Sequence, residues 1–546
     1  MKTFASKRPG KSGVEPPHSE RVRLKTRPCK TTAETAALPG TGGVKPPLRK
    51  AKTLVTGWSD AYNREPFCRG KTEVKEGTKR KRGSTVGRWL RMVGAMAVLA
   101  AVPCPAAAQV DWAEAVERLQ EYFRIDTSNP PGNEARAAEF FCGMFRREGI
   151  ECQIYEIAPG RANAIARIRG NGSKRPLILL NHTDVVTADA KAWSVPPFSG
   201  VLRDGAIYGR GAQDMKSEGM LHAMVMLLLK RQRVSLDRDV IWLAVADEEV
   251  NSIGSKWMLQ QGRELIAGAE YLINEGGENL LDEKGDLPTW GVTVAEKIPF
   301  WLRLRARGEA GHGSIPDRNA ATHRLVRALA RVEAYETPLR VLPAAQRILC
   351  DEGRLRFPDE KEKLCNLEES LRDPAFRKRV TENHDWNYLL RNTISVTVLQ
   401  GGPQTNVIPG EATAELDVRL LPEEDPQKFL AEIRRVIADE AVEIEVMSPY
   451  RVANSSPTDN ELWRSFEWAV ARYYPKAIVS PQLTSGYTES QMYRTLGIAS
   501  YGFCPFVTTE AESHTPHGND ERILVDEYKQ GLRILWDVVT RVAASP

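Results

Sequence analysis

Long apolar runs are scarce in this chain of 546 residues. The candidate with most claim to one, residues 92–102, holds about eleven residues where a bilayer-spanning helix needs ~20, so the sequence offers no permanent membrane anchor. Cysteine is sparse too: the eight present form no C-x-x-C pair and no Cys/His zinc-ribbon spacing, which excludes a structural zinc module. No internal repeat is visible, and the composition has no collagenous or low-complexity bias. What remains is ordinary globular material, 42% hydrophobic and 27% charged. At several times the usual domain size of roughly 100–150 residues, the chain has room for two or more domains.

The formal net charge of +5 is a sum of two unlike parts. Residues 1–85 carry 21 Lys/Arg against 7 Asp/Glu, leaving 55 basic and 64 acidic residues in the rest. The basic excess sits in a Pro/Gly/Lys-rich segment too poor in apolar residues to build a core, so it reads as a disordered leader and gives no reason to expect nucleic-acid binding by the body. After it, Arg88 and Arg91 precede the apolar run, and Ala106, Ala107 and Ala108 lead to Gln109. This is the pattern of a signal peptide over 86–108 with cleavage after Ala108, hence a secreted or periplasmic protein. Signals stand at N-termini, so either translation begins near Val86 or the leader is a genuine extension. Beyond Gln109 an odd number of cysteines remains: Cys142, Cys152, Cys350, Cys365 and Cys504. Cys350 and Cys365 either pair in an oxidising compartment or stand as buried thiols; the sequence leaves both open.

From Asp111 onward, helical and strand patterns alternate. Helices are expected over 112–123, 135–148 and 217–231, with buried strands at 177–180 and 240–245, which is βαβ order. From about Ile298 the pattern becomes strand 301–306, helix 320–336, strands 393–399 and 412–420, helix 426–437 and strand 443–447. That order, βαββαβ, is the ferredoxin-like motif, interrupted by a polar insertion at 337–390. The expected plan is an α/β catalytic domain in two parts, 109–297 and 453–546, with a smaller α+β domain inserted at 298–452.

The chemistry-bearing residues gather where strands end. Leu177–Leu180 runs into Asn181-His182-Thr183-Asp184, and 240–245 into Ala246-Asp247-Glu248-Glu249. Tyr271-Leu272-Ile273-Asn274 runs into Glu275, and Asp214 stands in the glycine-rich turn Gly209-Arg210-Gly211-Ala212-Gln213 before a helix. One such junction is commonplace, but active sites of α/β sheets collect at the carboxyl ends of strands, and four junctions offering His, Asp or Glu point to a metal site. The motifs NHTDVV, GRGAQDMK, ADEEV, NEGG, GHGSIP and HGNDER, in this order, resemble the M20 family of metallopeptidases over essentially all of residues 111–546. The insertion and the TNVIP segment resemble its carboxypeptidase S-like branch.

The resemblance implies a zinc-peptidase-like α/β catalytic domain with an inserted ferredoxin-like lid and dimerisation domain, and a homodimer through that domain. It implies two zinc ions, replaceable by cobalt or manganese, bridged by Asp214; His182 and Glu275 would complete one site and Glu249 and His517 the other. Asp184 would fix the His182 tautomer, and Glu248 would be the general base that activates a metal-bridging water. His517, rather than His514, stands in the ligand position of its motif. His312 matches a lid histidine that reaches the reaction centre. Asn406, Arg419 and Arg494 are candidates for holding a substrate carboxylate, though an ordinary ion pair accounts equally well for the two arginines. The stretch 484–489, Thr-Ser-Gly-Tyr-Thr-Glu, departs from the family's Gly-Gly-Thr-Asp, which leaves substrate preference open. The implied reaction is hydrolysis of an amide beside a free carboxylate, in a short peptide or an N-acyl amino acid; a di-zinc aminopeptidase and a non-catalytic zinc-binding scaffold are the alternatives.

Overall fold

Strand and helix periodicities resolve into two main sheets, the larger with a core on each face and the smaller with one of its own. The computed structural model describes residues 110–447 and 454–545; the expected leader (1–85) and signal segment (86–108) lie outside the described residues. The principal elements are α1 (Trp112–Phe123), α2 (Glu134–Arg147), β1 (Cys152–Ala158), β2 (Arg161–Ile168), β3 (Leu177–His182), α3 (Lys216–Arg231), β4 (Val240–Val245), β5 (Tyr271–Asn274) and β6 (Thr289–Glu296). Next come β7 (Leu302–Arg307), α4 (Ala321–Glu333), α5 (Pro343–Leu355), α6 (His384–Leu390), β8 (Thr393–Gln400), β9 (Glu411–Leu420), α7 (Pro426–Ile437) and β10 (Val442–Val446). The chain closes with α8 (Glu461–Tyr473), β11 (Ile478–Thr484), β12 (Ala499–Gly502) and α9 (Val525–Ala543).

The larger sheet has eight strands in the order β1-β2-β4-β3-β5-β12-β6-β11. Its centre is parallel, with β3 beside β4 and β5, and β12 beside β5. Every residue of β3 and β4 is buried. That is why both read as apolar runs without alternation: protein covers each face of the sheet. Leu177, Leu179 and Trp242 face a core shared with α1, α2, α3 and α9, while Ile178, Leu180, Ile241 and Leu243 face another with Met258 and Tyr493. Helix α3 is buried from Lys216 to Leu229, as expected of a helix that is apolar almost all round. Asp111 starts α1, its carboxylate accepting from the backbone N–H groups of Ala113 and Glu114 at 3.0 and 3.1 Å.

The smaller sheet is antiparallel, in the order β8-β9-β7-β10. Numbered along the chain this is 2-3-1-4, the ferredoxin-like arrangement, and β9 alternates buried and part-exposed residues through Ala412, Ala414, Leu416, Val418 and Leu420. Their side chains meet Leu325, Ala328 and Val332 of α4 and Phe429, Ile433 and Ile437 of α7.

The polar segment 337–390 belongs with the other core, although the sequence places it inside the lid. Ala345, Leu349, Leu364, Leu367, Phe376, Val380 and Trp386 join the main cluster. Asp351 anchors α5, accepting from Ser480 Oγ of β11 at 2.9 Å and from Arg347 Nε at 2.8 Å. Cys350 and Cys365 are disulfide-bonded, and so are Cys142 and Cys152, a pair that sequence reasoning missed; Cys504 is free. Among the described residues no helix is long and apolar enough to cross a membrane.

The Cys350–Cys365 bridge closes a loop with a sequence separation of 15. Replacing both with serine should cost about 3 kcal/mol by the chain-entropy model, read as a lowered midpoint in denaturant titration; an unchanged midpoint would show that the bridge does not constrain the unfolded chain.

Candidate metal centre

Strand register brings the expected ligands to one edge of the large sheet. His182, the last residue of β3, lies opposite Val245 of β4, so the acids that follow Val245 stand beside it, and Glu275 follows β5 on its other flank. His182 Nε2 lies 3.0 Å from Asp214 Oδ1 and 3.3 Å from Glu275 Oε2. His517 Nε2 lies 3.1 Å from Asp214 Oδ2 and 3.3 Å from Glu249 Oε2. Asp214 therefore offers one oxygen to each half of the cluster. Among the described residues, ligand atoms of His182, Asp214 and Glu249 converge within 4.8 Å, as do those of His182, Glu248 and Glu275.

Imidazole nitrogens and carboxylate oxygens in this proportion suit divalent transition-metal ions. Glu249 Oε1 is buried without a hydrogen-bond partner, an acceptor that a cation would satisfy. The donor set would suit two metals: His182 and Glu275 would hold one, His517 and Glu249 the other, and Asp214 could serve both. Each group also perturbs its neighbours. Burial, reinforced by Glu275, raises the Glu248 carboxyl well above the usual range. Burial pushes Glu275 up to about 7, with Asp214 and Glu249 adding repulsion against the pull of His182. Bonds to Asp214 and Glu249 raise His517 to about 10. At Asp214 burial opposes ionisation, but the two imidazoles win and hold it far below its normal value.

Two buried carboxylates outside the cluster position it. Glu521 accepts from the backbone N–H groups of Gly211, Gln213 and Asp214 at 2.8, 2.8 and 3.2 Å and from Arg210 Nη1 at 2.8 Å. Asp184 accepts from the N–H groups of Glu248 and Glu249 at 3.0 and 3.2 Å and from Asn129 Nδ2 at 2.8 Å. It fixes the His182 tautomer differently from expectation: Nδ1 meets the Asp184 backbone carbonyl at 3.0 Å, while the carboxylate stands 3.6 Å away and serves the two glutamate amides instead. Asn129 also donates to Asp247 at 2.8 Å, which Arg161 contacts at 2.8 Å while making a two-bond pair with buried Glu134 at 2.6 Å. Sequence reasoning missed Asn129, Glu134, Arg161, Asp247 and Glu521 as supports; only Glu521, inside HGNDER and matched by Arg210 in GRGAQDMK, carried a local signal.

A cleft of about 790 Å³ lies over the cluster, lined by Glu248, Glu249, Glu275 and His517 together with Trp301, Arg419 and Tyr487. Arg419 is held there by Asp417, at 2.7 and 3.1 Å, and by the Ser485 carbonyl at 3.0 Å. Arg494 is corrected to a structural role: it is buried, paired with Glu296, and bonded to Ser456 Oγ and the Ser500 carbonyl, so its donors are spent inside the fold. His312 and Asn406 come together away from these cleft-lining residues, in an exposed ribbon where Gly311–His312 pairs with Val407–Ile408 and Gly313 N–H donates to the Asn406 carbonyl at 2.8 Å. His514 is exposed and His517 lines the cleft.

Paired His/carboxylate sets sharing one aspartate, at the carboxyl edge of a parallel-centred sheet, define a metal-dependent hydrolase. The sequence profile of peptidase family M20/M25/M40 matches residues 178–541, and the chain belongs to that family. It is 27% identical over 377 residues to the N-fatty-acyl-amino acid synthase/hydrolase of Homo sapiens, covering 67% of this chain and 74% of that protein. To aminoacylase-1 of Mus musculus it is 26% identical over 441 residues, covering 79% and 96%. In fold it is similar to an M20 family metallo-carboxypeptidase from Sulfolobus solfataricus, with a TM-score of 0.59, 19% identity, and 79% and 99% of the two chains covered. A dinuclear metal-binding peptidase of the M20 family from Bacillus subtilis superposes with a TM-score of 0.51 at 14% identity, over 78% and 97%.

The purified protein should bind two metal ions per chain, and Asp214→Asn should lose both because it serves each half. His517, raised to about 10, holds a proton at neutral pH and Glu275, raised to about 7, is then about half protonated, and ligation must expel these protons. Binding should therefore release protons and tighten as pH rises. Calorimetry in buffers of different ionisation heat reads that release, and binding that ignores pH between 5 and 8 would exclude these ligands.

Proposed function

We propose that this protein hydrolyses the amide bond of N-acyl amino acids, and of short peptides with the same free carboxylate, as a di-zinc amidohydrolase. The observation that carries the reading is Glu248: it stands at the cleft beside the two His/carboxylate pairs, on the same turn as the ligand Glu249 and tied by its backbone to Asp184. Zinc, when bound by the five ligands, supplies Lewis acidity for the scissile carbonyl. Glu248 accepts a proton from the attacking water and returns it to the leaving amine nitrogen; a carboxyl whose proton affinity burial raises is suited to both halves of that transfer. Arg419, held at the cleft wall, is the candidate for the substrate carboxylate. The names of the curated relatives, an aminoacylase and an N-fatty-acyl-amino acid hydrolase, support the N-acyl substrate class.

Glu248→Ala should keep its two metals and its fold while losing about 10²–10⁴-fold in kcat against a panel of N-acyl amino acids and N-blocked or free dipeptides. Full activity in the variant would remove Glu248 from the chemistry, and preference for free N-terminal amines would favour an aminopeptidase.

The two disulfides support action in an oxidising, secreted or periplasmic compartment. Exposed Ile315, Val326, Leu399 and Val407 on the inserted domain support pairing of two copies through it, with His312 carried on that surface. The exported protein should begin at Gln109 and run as a dimer, read by N-terminal sequencing and light scattering; a monomer with 86–108 retained would contradict both.

A further inference from the structure

Two smaller cavities adjoin the metal-bearing cleft. One, of about 240 Å³, is lined by Gln213, Glu218, Asn279, Cys504, Phe506 and Pro516 among others. The other, of about 450 Å³, lies where the helical segment 337–390 packs on the large sheet. Its apolar walls are Ile348 of α5, Tyr388 and Leu389 of α6, and Leu483 of β11, and its polar ones include Glu278, Thr293, Gln482, Thr484 and Ser485. Gly276 and Thr488 line both this chamber and the metal cleft, so the two spaces meet one residue beyond the ligand Glu275.

The passage depends on Gly276. Its φ is +114°, and a Cβ there would stand 3.0 Å from Thr293 Oγ1, so a side chain would crowd the junction. The helical wall is fixed from two sides. Asp351 ties α5 to Ser480 of β11, and buried Lys297 donates to the carbonyls of Tyr388 and Arg391 at 3.1 and 2.9 Å, holding the end of α6. A chamber of this size, with four apolar side chains on its walls and continuous with the metal-bearing cleft, is suited to bind substrate.

The geometry points to a specificity subsite: the chamber receives an extended apolar substituent of the substrate, supplied by its acyl chain or by its amino-acid side chain. This rests on the amidohydrolase reading above. The alternative cavity is about half the size, 240 against 450 Å³, which leaves less room for an extended chain. The segment 337–390 thereby does more than cover the sheet edge, because it supplies three of the chamber's apolar walls.

The test uses the metal-loaded protein and two substrate series: acetyl, butanoyl, hexanoyl and octanoyl derivatives of phenylalanine, and N-acetyl derivatives of alanine, leucine and phenylalanine. In one series kcat/KM should climb, by up to about fourfold per added methylene, until the chamber is full. Ile348→Trp, which fills the chamber, should cut the ratio of longest to shortest substrate by about tenfold or more, whereas Ile348→Ala should preserve or extend the climb. Bound metal and thermal midpoint show that each variant is folded. A response in the acyl series assigns the chamber to the acyl chain, and one in the other series assigns it to the side chain. A flat profile in both, or a climb indifferent to both Ile348 variants, overturns the subsite while leaving the amidohydrolase reading standing. If the metal-loaded protein cleaves no N-acyl amino acid at all, that reading falls and the subsite with it.

Discussion

Asp214 carries both halves of the metal cluster, and its place is set by another carboxylate, Glu521. Buried Glu521 is satisfied by three backbone N–H groups, those of Gly211, Gln213 and Asp214, and by Arg210, so the loop from Gly211 to Asp214 is drawn around it. Four residues before Glu521 stands His517, whose Nε2 meets the second oxygen of Asp214. One side chain thus sets the spacing between a ligand near residue 214 and a ligand near residue 517. Removing it would leave Arg210 buried without its partner and three amides without acceptors, a cost in the range of several kcal/mol, so the cluster's geometry and the docking of the C-terminal part are one constraint.

Asp184 does the same work on the other flank. Its backbone carbonyl holds the His182 ring, and its carboxylate holds the amides of Glu248 and Glu249. Because one residue orients the ligand His182 by its main chain and the ligand Glu249 by its side chain, the ends of β3 and β4 cannot drift apart without breaking both. Glu248 shares that tether. Asn129 extends the network to Asp247, and Arg161 and Glu134 complete it, so Asp184, Asp247 and Glu134 are matched by amides and one guanidinium.

The sequence made the candidate ligands legible because each follows a recognisable element. An apolar run ending in His182, Glu249 or Glu275 marks a strand end, and the glycines before Asp214 mark a turn into a helix. The supports were opaque for the converse reason: Arg161 meets Asp247 across 86 residues and Asn129 meets it across 118, distances at which no local pattern survives. Arg494 shows the same limit. From its neighbours it could equally bind a substrate or pair within the fold, and only the position of Glu296, 198 residues away, assigns it to the interior. Asp184 illustrates a subtler limit. Its spacing from His182 correctly brings the two together, but which of its oxygens meets the ring depends on the chain turning after β3, which spacing does not encode.

The segment 337–390 reads in the sequence as a polar insertion because more than a third of its residues are charged. In space many of them pair on the surface, as Arg372 does with Glu369 and Lys378 with Glu382, while the apolar minority faces the large sheet. This matters for the inserted domain, whose chain crosses back at several points. At that junction Thr337 Oγ1 donates to the Asn392 carbonyl at 2.6 Å, Asn392 Oδ1 accepts from Leu421 N–H at 2.7 Å, and Asn392 Nδ2 and Arg340 both reach Glu424, at 3.1 and 2.8 Å. Beside it Lys297 closes on Tyr388, Arg391 and Thr393. A knot of satisfied polar groups in a partly buried site is stiffer than an apolar slip plane, since shearing it leaves each member unpaired. Trp301, just before β7, and Arg419, on β9, lie close along the chain to this knot, so their height over the candidate ligands is set by the same contacts that seat the helical segment.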